Sequence, residues 1–276
     1  MARVLIVGGS GFLGTELVRR ATAAGWETAA TYCSSRPGAA PGVTWHRLDL
    51  RDPARVDEVM TEVSPDAVVN TTSGLADWAV TADGSVRVAM AAARYGCRLV
   101  HVSSDAVFSG SRISYDESCL PDPVTPYGAA KAAAETAVRL LVPAAAVART
   151  SLIIGYGGSA HERMVHDLVA GARDGVLFTD VVRCPVQVGD LAAALLELAG
   201  SARSGMFHLA GPDALSRHEL GVLIARRDGL DATRLPTGRR AGTPVPGALD
   251  VRLIATTTRE QLRTPLRGAR EFLQVP

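Results

Sequence analysis

Short apolar runs alternate with longer stretches in which apolar residues recur every three or four positions, from the start of the chain to about position 150. Strands are expected near 3–8, 28–32, 43–48, 66–70, 98–103 and 144–149, and helices near 12–24, 53–63, 80–95 and 127–142. Strands separated in this way by helical crossovers predict an α/β protein with a doubly wound parallel sheet and right-handed connections. Beyond Gly155 the pattern loosens. A helix near 161–173, a strand near 184–188, a strongly apolar helix at 190–199 and a strand near 205–209 precede a helix at 216–226 and a Pro/Gly/Arg-rich stretch at 235–247. No internal repeat or low-complexity segment interrupts the order.

The first strand, Val4 to Val7, runs directly into GGSGFLG and then a helical stretch. In that order Gly8 permits a tight turn, Gly11 lets the backbone approach a pyrophosphate, and Gly14 lets the helix pack close to the strand. Ser10, Phe12 and Leu13 fill out the same dinucleotide-binding turn. NAD-binding sites of this build place an acid at the end of the second strand for the ribose 2′-hydroxyl. Here that strand ends Thr31, Tyr32, Cys33, Ser34, Ser35, Arg36, with no acid. Serines to receive a 2′-phosphate and Arg36 to pair with it point to NADP(H) in preference to NAD(H).

The 276 residues, 47% of them apolar, suffice for a full-sized core. A formal charge of +1 with scattered arginines argues against a nucleic-acid partner. The chain enters a strand at once, and no apolar run approaches the ~20 residues of a membrane span, so a cytoplasmic protein is expected. Cys33, Cys97, Cys119 and Cys184 are too widely spaced for a zinc ribbon or a CxxC pair. In HERMVH, His161 and His166 stand five apart, where a HExxH metal site needs four, and no metal is expected.

Tyr127 and Lys131 lie four apart in TPYGAAKAAAE, about twenty residues after Ser103 and Ser104. On a helix that spacing puts phenol and ammonium on one face, roughly 5–6 Å apart at Cβ. A neighbouring ammonium is expected to draw the phenol's pKa down from about 10 and make it a proton donor.

Together, GGSGFLG and the Ser104, Tyr127, Lys131 set resemble the extended short-chain dehydrogenase/reductases. HVSSDAVFSG, YDE, TPYGAAKAAAE, ARTSLIIG, RCPVQVGDLAAALLELA and GMFHLAGPDALSRHELG are similar to the dTDP-4-dehydrorhamnose reductase family. The resemblance implies a Rossmann-type sheet from residues 1–155, completed by about 184–210, and a small C-terminal substrate lobe from 156–183 and 211–276. It further implies that Asp49 and Leu50 hold the adenine and that Thr71, Thr72 and Ser73, after Asn70, lie beside the cofactor. Hydride comes from NADPH and the proton from Tyr127. Lys131 also reaches the nicotinamide ribose, and Ser104, which the family places before the Asp, holds the carbonyl oxygen in preference to Ser103. A homodimer stays open.

The same resemblance brings Asp105, Ala106 and Leu152 to the substrate. Asp105 either orients a substrate hydroxyl or caps its own turn. Several positions depart from the family's wording: Ala106 and Leu152 stand where aromatics are common, Thr81 where an Asn is, and Gly247-Ala248 where an Arg-Pro pair is. Ala106 also removes the second acid that dehydratases need. Lost aromatic walls imply a differently lined pocket for the small-molecule carbonyl substrate. His161, Arg163, Arg239, Arg240 and Arg252 are candidates for a diphosphate, with solvated arginines as the competing reading. The expected activity is reduction of the 4-keto group of a nucleotide-linked deoxy sugar. A cofactor-binding regulatory subunit, resembling the regulatory partner of methionine adenosyltransferase, and a reductase of a non-sugar ketone are the alternatives.

Overall fold

The computed structural model describes residues 2–35, 37–38, 41–244 and 246–274. Its principal elements are β1 (Arg3–Val7), α1 (Phe12–Ala23), β2 (Glu27–Tyr32), β3 (Val43–Arg47), α2 (Pro53–Val63), β4 (Ala67–Asn70) and α3 (Gly84–Tyr95). They continue with β5 (Arg98–Ser104), α4 (Pro126–Leu141), β6 (Ala146–Thr150), α5 (Ala160–Ala170), α6 (Val188–Ala199), β7 (Gly205–Leu209) and α7 (Arg217–Arg227). The seven strands form one parallel sheet in the order β7-β6-β5-β4-β1-β2-β3. The winding direction reverses between β1 and β4, so a crevice for ligands opens beyond their carboxyl ends.

Near-continuous apolar strands are what a sheet covered on both faces requires. Val4, Ile6, Val69, Val100 and Val102 pack on one face against Leu17 of α1 and Leu191 and Leu195 of α6. Leu5, Val7, Val68 and Leu99 pack on the other against Val56 and Val59 of α2 and Val88 and Ala92 of α3. A separate cluster joins Leu152 and Ile154 to α5 and α7 through Val165, Leu168, Leu220 and Ile224. In a fourth cluster the rings of Phe108 and Tyr115 stack at 4.1 Å.

Local chemistry sets the element ends. The Asp52 side chain accepts from the backbone of Ala54 and Arg55 to start α2. Thr125 caps α4 through the Gly128 amide, with Pro126 at the first helical position. Reciprocal Ser–Glu boxes, Ser159 with Glu162 and Ser216 with Glu219, open α5 and α7. The helix expected to reach residue 173 stops at Ala170, because Gly171 adopts a left-handed φ of 67° and closes it. Of the strand expected at 184–188 only Val186–Gln187 forms, paired with Ile153–Ile154, because the Gln187 side chain caps α6 and Val188 already belongs to that helix. A π-helical turn, Ala79–Asp83, precedes α3.

Candidate active site

At the end of β1, Gly8 has φ +86° and its amide donates to the Thr31 hydroxyl at 3.0 Å. A Cβ at Gly14 would overlap the Gly8 carbonyl oxygen, so the start of α1 lies directly on the turn. The resulting cleft, about 450 Å³, is lined by Gly8, Ser10, Gly11, Phe12, Thr31, Cys33, Asp49, Leu50, Thr71, Thr72 and Ser73 among others. Glycine backbone at the mouth of a strand-to-helix turn, with hydroxyls on the facing β4 loop, fits a dinucleotide. Since Asp52 caps α2, Asp49 is left to the cleft, where it holds Arg51 at 3.3 Å. Thr71 donates to the Val7 carbonyl at 2.9 Å, and the Thr72 hydroxyl to Asn70 at 2.6 Å, which fixes the loop after β4. Thr81 does the same from the π-helical turn, accepting from the Gly74 amide and donating to the Leu75 carbonyl, each at 3.0 Å.

Leu13, Ser34 and Ser35, also expected at the cofactor, fall outside that lining. The Leu13 side chain packs in the core on one face of the sheet, because the first turn of α1 points that position inward. Ser34 and Ser35 are exposed residues beyond Cys33, and Arg36 lies outside the described residues.

Tyr127 occupies the first turn of α4 and Lys131 the next. Lys131 is 2% exposed and its ammonium donates to the carbonyls of Thr72 at 3.1 Å and Val102 at 3.0 Å. Burial draws it down to about 8, with Glu135 opposing the change. The phenol behaves otherwise than the spacing suggests. Burial pushes the Tyr127 pKa up; hydrogen bonding to the Ser73 and Ser104 hydroxyls lowers it, and the Asp105 charge raises it further. Lys131 is not among the groups that move it; its ammonium is bonded to two backbone carbonyls.

Ser104 accepts from the Ala106 amide at 3.2 Å and lies 3.3 Å from Asp105. Ser103 is committed elsewhere: its hydroxyl donates to Glu135 at 2.6 Å. Glu135 in turn takes two bonds from Arg149, at 2.9 and 2.8 Å, and the Arg149 guanidinium lies 4.8 Å from the centre of the Phe108 ring. A fully paired buried carboxylate thus stands one helical turn behind Lys131.

On the far side of Tyr127 a second cavity, about 490 Å³, is walled by Ala106, Phe108, Val124, Met164, Leu177, Phe178 and Ile224. Its charged groups are Arg183, Arg217 and Arg240, with His161 beside them. Asp105 is buried below it, accepting from Ser151 at 2.7 Å with Arg183 at 3.5 Å, so its carboxylate bridges protein groups. Leu152, expected at the substrate, is packed in the core shared by α5 and α7, its side chain turned away from the cavity.

The family model for the RmlD substrate binding domain matches residues 2–271. The chain belongs to that family. Among curated members, dTDP-4-dehydrorhamnose reductase of Mycobacterium tuberculosis is 30% identical over 88% of this chain and 81% of its own. Methionine adenosyltransferase 2 subunit beta of Bos taurus is 28% identical over 98% of this chain and 87% of its own. Bacillus anthracis dTDP-4-dehydrorhamnose reductase in complex with NADP superposes with a TM-score of 0.84 at 22% identity, over 99% of this chain and 97% of that one. Bordetella bronchiseptica WbmH in complex with NAD+ gives a TM-score of 0.84 at 18% identity, over 99% and 96%. Both likenesses show the fold; the family match and the Mycobacterium tuberculosis reductase make the chain an NAD(P)H-dependent oxidoreductase.

Within this RmlD-type frame, the basic residues singled out by sequence separate cleanly. His161 and Arg240 line the cavity. Arg163 is an exposed residue bonded to the Gly158 carbonyl, Arg239 is exposed beside Asp180, and Arg252 pairs with Asp250 at 2.7 Å. Gly247, in the position of the family's Arg, leaves room for Arg240: a Cβ there would stand 2.6 Å from its guanidinium. Arg183 and Arg217 were not anticipated. Both sit in motifs that carry the family resemblance, RCPVQVGD and LSRHELG, but nothing local marks them as facing one cavity.

Proposed function

We propose that the protein reduces a carbonyl with NADPH, the 4-keto group of a nucleotide-linked deoxy sugar, with Tyr127 as the general acid. One observation carries this reading: Tyr127 borders the substrate cavity while its phenol neighbours Ser73, which lines the dinucleotide cleft, so both cavities meet at one hydroxyl. When bound, the nicotinamide supplies hydride to the carbonyl carbon. Tyr127 holds a proton at its phenol oxygen for the developing alkoxide, and Ser104, bonded to the same phenol, orients the carbonyl oxygen toward it. Lys131, drawn down to about 8, is mostly cationic near neutral pH and is held by two carbonyls at the base of the cleft. The substrate lobe in this reading comprises residues 156–183 and 211–276. Preference for NADPH rests on the missing acid after Tyr32.

Among the described residues no helix is long and apolar enough to cross a membrane. NADPH oxidation against nucleotide-linked 4-keto sugars and unlinked ketones tests the reading, with Tyr127→Phe as the decisive variant. The ring, helix and Lys131 remain, so NADPH binding survives while kcat falls about 10²–10⁴-fold. Tyr127→Phe retaining most of its kcat rejects the general-acid role. Tight NADPH binding without turnover of any member of the panel supports a binding role like that of the methionine adenosyltransferase subunit.

A further inference from the structure

Arg217 opens α7 and reaches the substrate cavity beside Arg183 and Arg240. The short antiparallel pairing of Val182–Arg183 with Leu215–Ser216 brings it there. Among the described residues its one side-chain hydrogen-bond partner is His161, whose Nδ1 lies 3.1 Å from the guanidinium. Arg217 can only donate, so Nδ1 must be the acceptor and His161 must be neutral. Burial, then the Arg217 charge, pull His161 down to about 4, which agrees.

Among the described residues no carboxylate lies within ion-pair distance of Arg217. Asp105, the acid that acts on it from farther away, is already engaged by Arg183 and Ser151. Burial and the neighbouring charges of Arg183 and Arg240 draw Arg217 down to about 10, so its positive charge is held at a cost that Asp105 offsets only in part. The rest of the wall is largely apolar, with Met164, Val165, Leu177, Leu220 and Ile224. A guanidinium directed into an apolar cavity and steadied by a neutral ring is arranged to receive a planar or tetrahedral oxyanion.

We propose that Arg217, positioned by His161, is the specificity-determining residue that receives an oxyanion of the substrate, so that the lobe selects ketones carrying a phosphate or carboxylate group. The proposal rests on the reductase reading only for what the oxyanion is attached to; its test does not use turnover. Calorimetric titration of the NADPH-loaded protein with thymidine diphosphate, inorganic pyrophosphate and succinate compares wild type with Arg217→Met. Arg163→Met, whose arginine lies outside the cavity, is the control, and NADPH affinity reports the fold of each variant.

Arg217→Met is expected to weaken the bound probe about 10- to 100-fold with NADPH affinity unchanged, and Arg163→Met to leave both as they are. Loss confined to the two phosphates identifies a phosphate substrate, and loss confined to succinate a carboxylate. His161→Gln, which keeps an acceptor oxygen, should retain most of the probe affinity, and His161→Phe should lose it; a merely structural histidine would give two equal losses. Equal probe affinity in wild type and Arg217→Met, or no binding of any probe at millimolar concentration, overturns the proposal and leaves the Tyr127 chemistry to be judged by its own assay.

Discussion

Replacing Lys131 by Met tests whether the ammonium beneath the cofactor cleft is held at a cost to stability. The side chain is 2% exposed, and burial takes its pKa from 10.5 to about 8. The unfolded chain therefore binds more protons than the native one between about pH 8 and pH 10.5, and stability rises with pH across that window. Below it the full penalty applies, roughly 3 kcal/mol at ~1.36 kcal/mol per pH unit. Met removes that penalty and also the bonds to the Thr72 and Val102 carbonyls, so the net change near neutral pH mixes two effects of opposite sign. The difference between wild type and variant as a function of pH separates them, because the lost hydrogen bonds add a nearly constant offset. Urea unfolding from about pH 7 to pH 10 should show wild type gaining roughly 2.5 kcal/mol relative to Lys131→Met. A flat difference would mean that the ammonium is effectively solvated, and the burial argument would fail together with the placement of Lys131 at the base of the site.

Gly128→Ala should be more damaging than its size suggests. A Cβ there would overlap the Ala106 carbonyl oxygen, so α4 must shift beside Tyr127, lowering stability by about 1–3 kcal/mol and kcat by up to about 10²-fold, read from thermal melts and turnover. NADPH should bind more tightly than NADH, and Arg36→Ala should narrow the gap; equal affinities by titration in wild type would remove the 2′-phosphate reading of the second strand's end.

What the sequence made legible is the part of the molecule in which chemistry and local geometry coincide. A strand running into glycines, with a helix after them, states its own turn, and i, i+4 spacing states its own helix face; both needed only a dozen neighbouring residues. The substrate side is assembled differently. Arg183 and Arg217 become neighbours because two short strands pair antiparallel, and Asp105 is engaged by Ser151 and Arg183 through contacts 46 residues apart or more. No periodicity encodes such pairings. The same distinction accounts for Leu13 and Leu152, where the stretch was located but the direction of the side chain depended on which core lay behind it. It also accounts for the Tyr127 phenol. Spacing placed an ammonium on the same helix face, but burial, which the tertiary fold sets, dominates the phenol. A phenol pushed up in this way holds its proton firmly at neutral pH. In the general-acid role proposed above, lowering its pKa for transfer requires hydrogen bonds and charge supplied by the groups that enter the two cavities, so that the chain would prepare the acid and its ligands complete it.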